Sequence, residues 1–217
     1  MENVAARLSN PFGIRPHCPH PCEGDVEAVF GFGDPNADVH LIGAHPGRHG
    51  GRSTGIPFTG DAGSERLLGV LAEAGLVDIE AGIPRGGPMF MSYLHMCCPA
   101  QGIEPSEAAY TDMERLFDAE LRAVVAHVLM PVGARAIDHV LTNYSPITID
   151  GEAPESFHAS ELRGNGFLII PIRDPNDWCE EDAIALGEAL FELTSSDFAQ
   201  EADLTRFFPT RRPYLVR

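Results

Sequence analysis

The sequence predicts an α/β fold, a three-layer α/β/α sandwich around a central four-stranded parallel sheet. Three observations predict it. Short apolar runs at residues 38–43, 89–96, 128–132 and 167–172 alternate with segments of helical periodicity. The runs are nearly continuous rather than alternating, as in strands that helices cover on both faces. The first of them stops at Gly43 and opens into a glycine-rich loop, where parallel sheets place ligand chemistry.

Taken in order, residues 1–36 are rich in Pro, Gly and His and read as an irregular lead-in. The first strand is Asp38 to Gly43. A helix follows from Gly63 to Ala74, with Leu67, Leu68, Val70 and Leu71 on one side and Gly75 as its stop. A Gly/Pro-rich linker, residues 82–88, leads to the apolar run Met89 to Met96. Pro105 opens a long helix whose Ala109, Met113, Leu116, Phe117, Leu121 and Val124 have helical spacing. Val128 to Val132 form the third strand, and a short helix follows over Arg135 to Leu141. The fourth strand, Phe167 to Ile172, ends at Arg173-Asp174-Pro175-Asn176. Asp177 and Glu180 make a capping box for a last helix through Leu190. Residues 195–217 are an irregular tail carrying Arg206, Arg211, Arg212 and Arg217. The whole chain, 1–217, reads as a single domain.

Composition narrows the setting. No apolar stretch is long enough to span a bilayer, and the first ten residues lack the features of a signal peptide. We expect a cytoplasmic monomer. All 15 basic residues are arginine, and 32 acidic ones bring the net charge to -17. Such a surface ordinarily repels DNA. Dense carboxylates without lysine also fit a salt-rich cytoplasm, where at about 1 M salt the Debye length is only about 3 Å. Net charge then does not exclude DNA as a partner. Five cysteines, an odd number, argue against a disulfide framework and leave a metal or cluster site open.

The loop after the first strand carries His45, Arg48, His49 and Arg52, with an aromatic ring at Phe58. Cations and a ring together suit an anionic, planar ligand, and a nucleotide base on its phosphate backbone is the obvious candidate. Arginine grips phosphate through a bidentate fork that depends little on long-range attraction.

GFGDPNADVHLIGAHPG followed by HGGRSTGIPFTGDAG resembles the uracil-DNA glycosylase superfamily, most closely its families 4 and 5. The resemblance is specific from Gly31 to about Gly75. It implies excision of a damaged base, uracil first, which is flipped from DNA, stacked on an aromatic ring and cleaved from its sugar without a metal. Position by position, it implies that Phe58 stacks the base and that Gly43, Ala44, His45, Pro46 and Gly47 line the sugar and water site. His45 stands where other families place a water-positioning Asp or Asn; the alternative is a loop histidine bonded to backbone. Asp61 is the further polar candidate, and Arg48, Arg52 and Arg173 are the phosphate contacts.

This chain departs from the pattern at several places. Family 4 has glutamate where Ala44 stands. The late H-P-S motif corresponds to Asp174 and Asn176 here, and the asparagine that reads the base edge falls near Tyr93. An ionised Asp174 cannot donate a hydrogen bond and repels a developing base anion. The resemblance also implies a 4Fe–4S cluster, for which Cys18, Cys22 and Cys97 stand near three of four ligand places. The fourth place carries no cysteine, so the expectation is no cofactor, with the cluster as the alternative. The leading function is a monofunctional uracil-DNA glycosylase. A glycosylase for hypoxanthine, and an inactive nucleic-acid-binding relative, are the alternatives.

Overall fold

The computed structural model describes residues 8–147, 151–199 and 202. In chain order they form β1 (Phe32–Gly33), β2 (Val39–Gly43), α1 (Pro46–His49), α2 (Ala62–Glu73), β3 (Asp78–Glu80), β4 (Ile83–Gly86), β5 (Met89–Tyr93), α3 (Glu107–Val124), β6 (Val128–Pro131), α4 (Gly133–Tyr144), β7 (Leu162–Arg163), β8 (Leu168–Ile169) and α5 (Glu180–Thr194). The main sheet has six strands in the order β1-β5-β2-β6-β8-β7. Its four central strands, β5, β2, β6 and β8, run parallel as the apolar runs predict. The edge strands β1 and β7 are antiparallel additions.

Every residue of β2, β5 and β6 is buried, which explains why these segments are apolar apart from His40 and Ser92, a pair bonded to each other at 2.8 Å. Successive side chains still point to opposite faces. Val39, Leu41, Met91 and Met130 pack with Leu67, Leu68 and Leu71 of α2 and Leu186 and Leu190 of α5. Ile42 and Leu129 meet Phe117 and Leu121 of α3 and Ile137 and Val140 of α4 on the other face. Each fully buried leucine contributes about 1.5–3 kcal/mol relative to an exposed one, so three of them dock α2 firmly. Among the described residues, no helix is long and apolar enough to cross a membrane.

Local chemistry shifts several boundaries. The 82–88 linker is largely the second strand of a hairpin, β3 with β4. Its two-residue turn places Ala81 and Gly82 at φ 52° and 77°, the geometry that matches strand twist. An Ala-Gly turn between exposed residues gives little sequence signal. Pro105 lies outside α3, because Ser106 is the cap and accepts from the Ala109 N–H. The short helix after β6 runs longer than expected, from Gly133 to Tyr144. The predicted Asp177–Glu180 capping box is replaced by one between Cys179 and Asp182, since Pro175–Asp177 winds into a 3-10 turn capped by Asp174. The ladder of β8 is short, yet Ile172 still bridges Val132 and extends the parallel pairing. The tail arginines Arg206, Arg211, Arg212 and Arg217 lie outside the described residues.

The cysteines correct the expectation drawn from their odd number. Cys18 pairs with Cys97, and Cys22 with Cys98, across 79 and 76 residues. The odd one is Cys179, free and exposed before α5. Two cross-links therefore pin the lead-in to the loop that follows β5.

Candidate active site

The carboxyl ends of β2, β5, β6 and β8 converge on one edge of the sheet, and the motif loop covers it. Gly43 ends β2 where a Cβ would come within 2.6 Å of the Tyr93 ring and 2.8 Å of the Phe58 ring. Only glycine lets the chain turn here against two aromatic side chains. Phe58 itself is left-handed, at φ 59°. Its N–H donates to the Tyr93 hydroxyl, which in turn donates to the His49 carbonyl at 2.7 Å.

Next to this turn lies a cavity of about 290 Å³, walled by Ala44, Arg48, His49, Glu104, Gly133 and Asp174 among others. That is the small end of the range of ligand pockets, about 300–1,000 Å³, and suits one small ring system. A larger open groove of about 670 Å³ runs along the lead-in beside Arg15, His17 and His20. None of the motif residues from Gly43 to Asp61 lines that groove, so the smaller cavity is the candidate site.

Asp174 is its best-defined wall. The side chain is 1 % exposed. One oxygen meets Arg48 Nε, and the other accepts the Asn176 N–H at 2.9 Å. His49 Nε2 stands 3.4 Å away. Burial alone pushes a carboxyl up, but the His49 imidazole, the Asn176 amide and the Arg48 guanidinium together hold Asp174 well below the usual carboxylate range. Its backbone N–H donates to Glu155. Asp174 is therefore an ionised group matched by Arg48, not a free negative charge.

His45 is engaged at both of its ring nitrogens. Its Nδ1 caps α1 by accepting the Gly47 N–H at 3.1 Å, and its Nε2 meets Glu104 Oε2 at 2.7 Å. Burial lowers the imidazole's pKa, against the opposing pull of Glu104. With Nδ1 accepting, the neutral ring carries its proton on Nε2 and gives it to Glu104. Glu104, rather than His45, faces the cavity.

Several residues expected in the pocket do other work. Phe58 and Tyr93 are fully buried and do not wall the cavity. The Phe58 ring lies against His49, 5.7 Å between centroids at 22°. The Tyr93 hydroxyl is committed to backbone groups rather than to a base edge. Asp61 caps α2 by accepting the Ser64 N–H, and Asn176 donates to the Arg48 carbonyl. Pro46 and Gly47 form the first turn of α1. All three arginines assigned to phosphate already hold carboxylates: Arg48 with Asp174, Arg52 with Glu23, and Arg173 with Asp182.

Glu104, Glu155 and the stretch from Val132 to Arg135 are among the wall residues that sequence reasoning missed. Each sits just before or inside α3, α4 or a 3-10 turn at Pro154–Phe157, far from the motif in sequence. Arg135 is held by Glu107 through both guanidinium nitrogens and lies 4.1 Å over the Tyr110 ring.

For the cluster that the resemblance implies, the structure adds a fourth cysteine, Cys98, to the three that the sequence offered. Four thiolates are the usual ligand set. Here Cys18, Cys22, Cys97 and Cys98 converge, but as two disulfides. In the paired state they offer iron no thiolate, and in the reduced state the same four would make the usual ligand set. Among the described residues, no group of three or more His, Cys, Asp or Glu is placed to hold a metal ion.

The comparisons agree with the motif and the fold. A family model described as the uracil DNA glycosylase superfamily matches residues 30–181. The chain is 34% identical over 125 residues to a Type-5 uracil-DNA glycosylase of Thermus thermophilus, covering 54% of this chain and 55% of that protein. It is 28% identical over 137 residues to one of Pyrobaculum aerophilum, covering 61% and 60%, and 26% over 131 residues to one of Mycobacterium leprae, covering 58% and 54%. The matched part is thus little more than half of each relative. With the family match running from just before β1 into α5, across the whole of the motif loop and the late Asp174 segment, the chain belongs to the uracil DNA glycosylase superfamily.

Proposed function

We propose that this chain removes uracil from DNA by hydrolysing the bond between the base and its sugar. One observation carries the reading: a cavity of single-base size lies at the carboxyl ends of the parallel strands, with the family's motif loop on one side and Asp174 on the other. A base inside a duplex cannot reach such a cavity, so it is flipped out first. The bond from sugar C1′ to base N1 then breaks, and its electron pair leaves on the base. A water oxygen bonds to C1′, and the water's proton passes to Glu104. Both nitrogens of His45 are engaged, so its part is to hold Glu104 in place. The Arg48–Asp174 pair presents no net charge to the departing anion.

The reading extends to one domain over residues 1–217, acting as a monomer on uracil-containing DNA in a salt-rich cytoplasm. The exclusive use of arginine among basic residues and the net charge of -17 support that setting. A second reading, a nucleic-acid-binding relative with little catalysis, is favoured by the carboxylate partners on Arg48, Arg52 and Arg173.

The test is direct. Purified protein in multimolar salt is incubated with oligonucleotides carrying uracil, hypoxanthine or only normal bases, and abasic sites are then cleaved with alkali. Strand breaks at uracil support the glycosylase. Breaks at hypoxanthine alone reassign the substrate, and binding without breaks on any strand favours the second reading.

A further inference from the structure

His49 is a buried polar side chain whose second nitrogen the fold leaves unused. The ring is 1 % exposed, is packed against Phe58 and belongs to the cavity wall. Its Nδ1 accepts the Ala44 N–H at 3.3 Å. An imidazole nitrogen that accepts a hydrogen bond carries no proton, so the neutral ring bears its hydrogen on Nε2. That Nε2–H has no hydrogen-bond partner among the described residues. Beside it lie Asp174 Oδ2 at 3.4 Å and the bare face of Gly133, where a Cβ would come within 3.5 Å of Nε2. A buried N–H left without an acceptor is destabilising. A ligand oxygen in the cavity relieves that cost.

We propose that His49 is a base-contacting residue, whose Nε2–H donates to a carbonyl oxygen of the extruded base and stabilises the charge that develops there. The proposal deepens the glycosylase reading and rests on it. As the C1′–N1 bond breaks, its electron pair spreads onto the base's carbonyl oxygens, and a fixed donor at that place lowers the barrier. No proton passes to or from His49. The stack on Phe58 and the bond from Ala44 hold the ring before the base arrives, so little reorganisation is needed. Arg48 neutralises Asp174, which otherwise opposes an anion at this spot. Gly133 keeps the approach to Nε2 clear.

Replacing His49 by Phe keeps a ring on Phe58 and removes the donor. Removing one such donor costs about 100- to 1,000-fold in rate. Single-turnover release of uracil is therefore expected to fall about 100-fold, and release of 5-fluorouracil, a better leaving group, about 10-fold. An equal loss on both bases, or none, overturns the proposal. His49→Gln, which retains a donor, is expected to recover part of the uracil rate, and no recovery counts against the proposal. Nitrogen-15 NMR of the wild-type protein decides independently of activity and of variant folding. We expect His49 protonated at Nε2, with that signal moving when free uracil is added; protonation at Nδ1, or a signal that does not move, overturns the proposal. A wild-type protein that releases no uracil sinks the glycosylase reading, while the NMR arm still decides the place of His49.

Discussion

The hydroxyl of Tyr93 accepts the backbone N–H of Phe58 at 2.8 Å and ties the end of β5 to a left-handed aromatic residue in the motif loop. A non-glycine residue in that conformation costs about 1–3 kcal/mol and persists only where its surroundings over-determine it. Here the same hydroxyl also donates to the His49 carbonyl. Burial pushes the phenol's pKa up, so it remains a donor. The shape of the pocket loop thus depends on a side chain that never enters the pocket. Tyr93→Phe is expected to lose about 1–3 kcal/mol of stability, read as a lower urea midpoint. An unchanged midpoint refutes the role.

Glu104 carries the water chemistry in the proposed mechanism, yet its side chain is 66% exposed. Glu104→Gln is expected to slow single-turnover uracil release about 100-fold while leaving KM and the melting temperature near wild type. A large loss of stability in this variant shows a structural residue instead.

The Arg48–Asp174 pair has one buried and one half-exposed partner, at 1% and 46% side-chain exposure. Solvent screening of Arg48 discounts the cost of breaking it, so Asp174→Asn is expected to lose about 1–2 kcal/mol near neutral pH. Asp174 has its pKa depressed below 3.8 in the folded state, so its contribution is present above that pH and lost as pH falls below it. The gap between variant and wild type is expected to narrow in acid urea titrations. A gap that widens there contradicts the assignment.

Glu120 and His40 set a second pH dependence, inside the core. Neither Glu120 oxygen has a hydrogen-bond partner among the described residues, and burial pushes its carboxyl from 4.5 up to about 8. Burial also lowers His40 from 6.5 to about 3. The contribution of neutral Glu120 is fully present below pH 4.5 and lost as pH rises through 8, while that of neutral His40 is present above 6.5 and lost as pH falls through 3. The two slopes oppose each other between 4.5 and 6.5, leaving a net loss of stability between 6.5 and 8. Glu120→Gln is expected to abolish that loss and gain on the order of 2 kcal/mol at pH 9. A wild-type urea midpoint that stays flat from neutral to alkaline pH removes the basis for this expectation.

The disulfides Cys18–Cys97 and Cys22–Cys98 each close a long loop and are each expected to contribute about 2–4 kcal/mol. Denatured, unreduced protein is expected to show one reactive thiol, Cys179, and a reductant is expected to lower the melting temperature. Five reactive thiols before reduction contradict the pairing.

The sequence by itself determined the parallel core. Residues buried on both faces of a sheet are mostly apolar in near-continuous runs, and that local rule marked β2 and β6 close to their true bounds while overrunning β5 and β8. The motif loop stood out because an apolar strand stops at Gly43 and opens into a glycine-rich stretch, while the two rings crowding Gly43 came only with the structure. The edge strands β1 and β7 and the exposed hairpin carried no such pattern, being too short or too solvated to constrain composition. Partner choice was invisible for a different reason. His45 and His49 are equivalent on the page, yet one reaches Glu104, 59 residues on, and the other stands beside Asp174. Arg48 finds Asp174 across 126 residues, and the cysteines pair across 76 and 79. Local periodicity records which face of an element is buried. Only the tertiary structure decides which donor meets which acceptor, because those contacts form between segments that share no sequence neighbourhood.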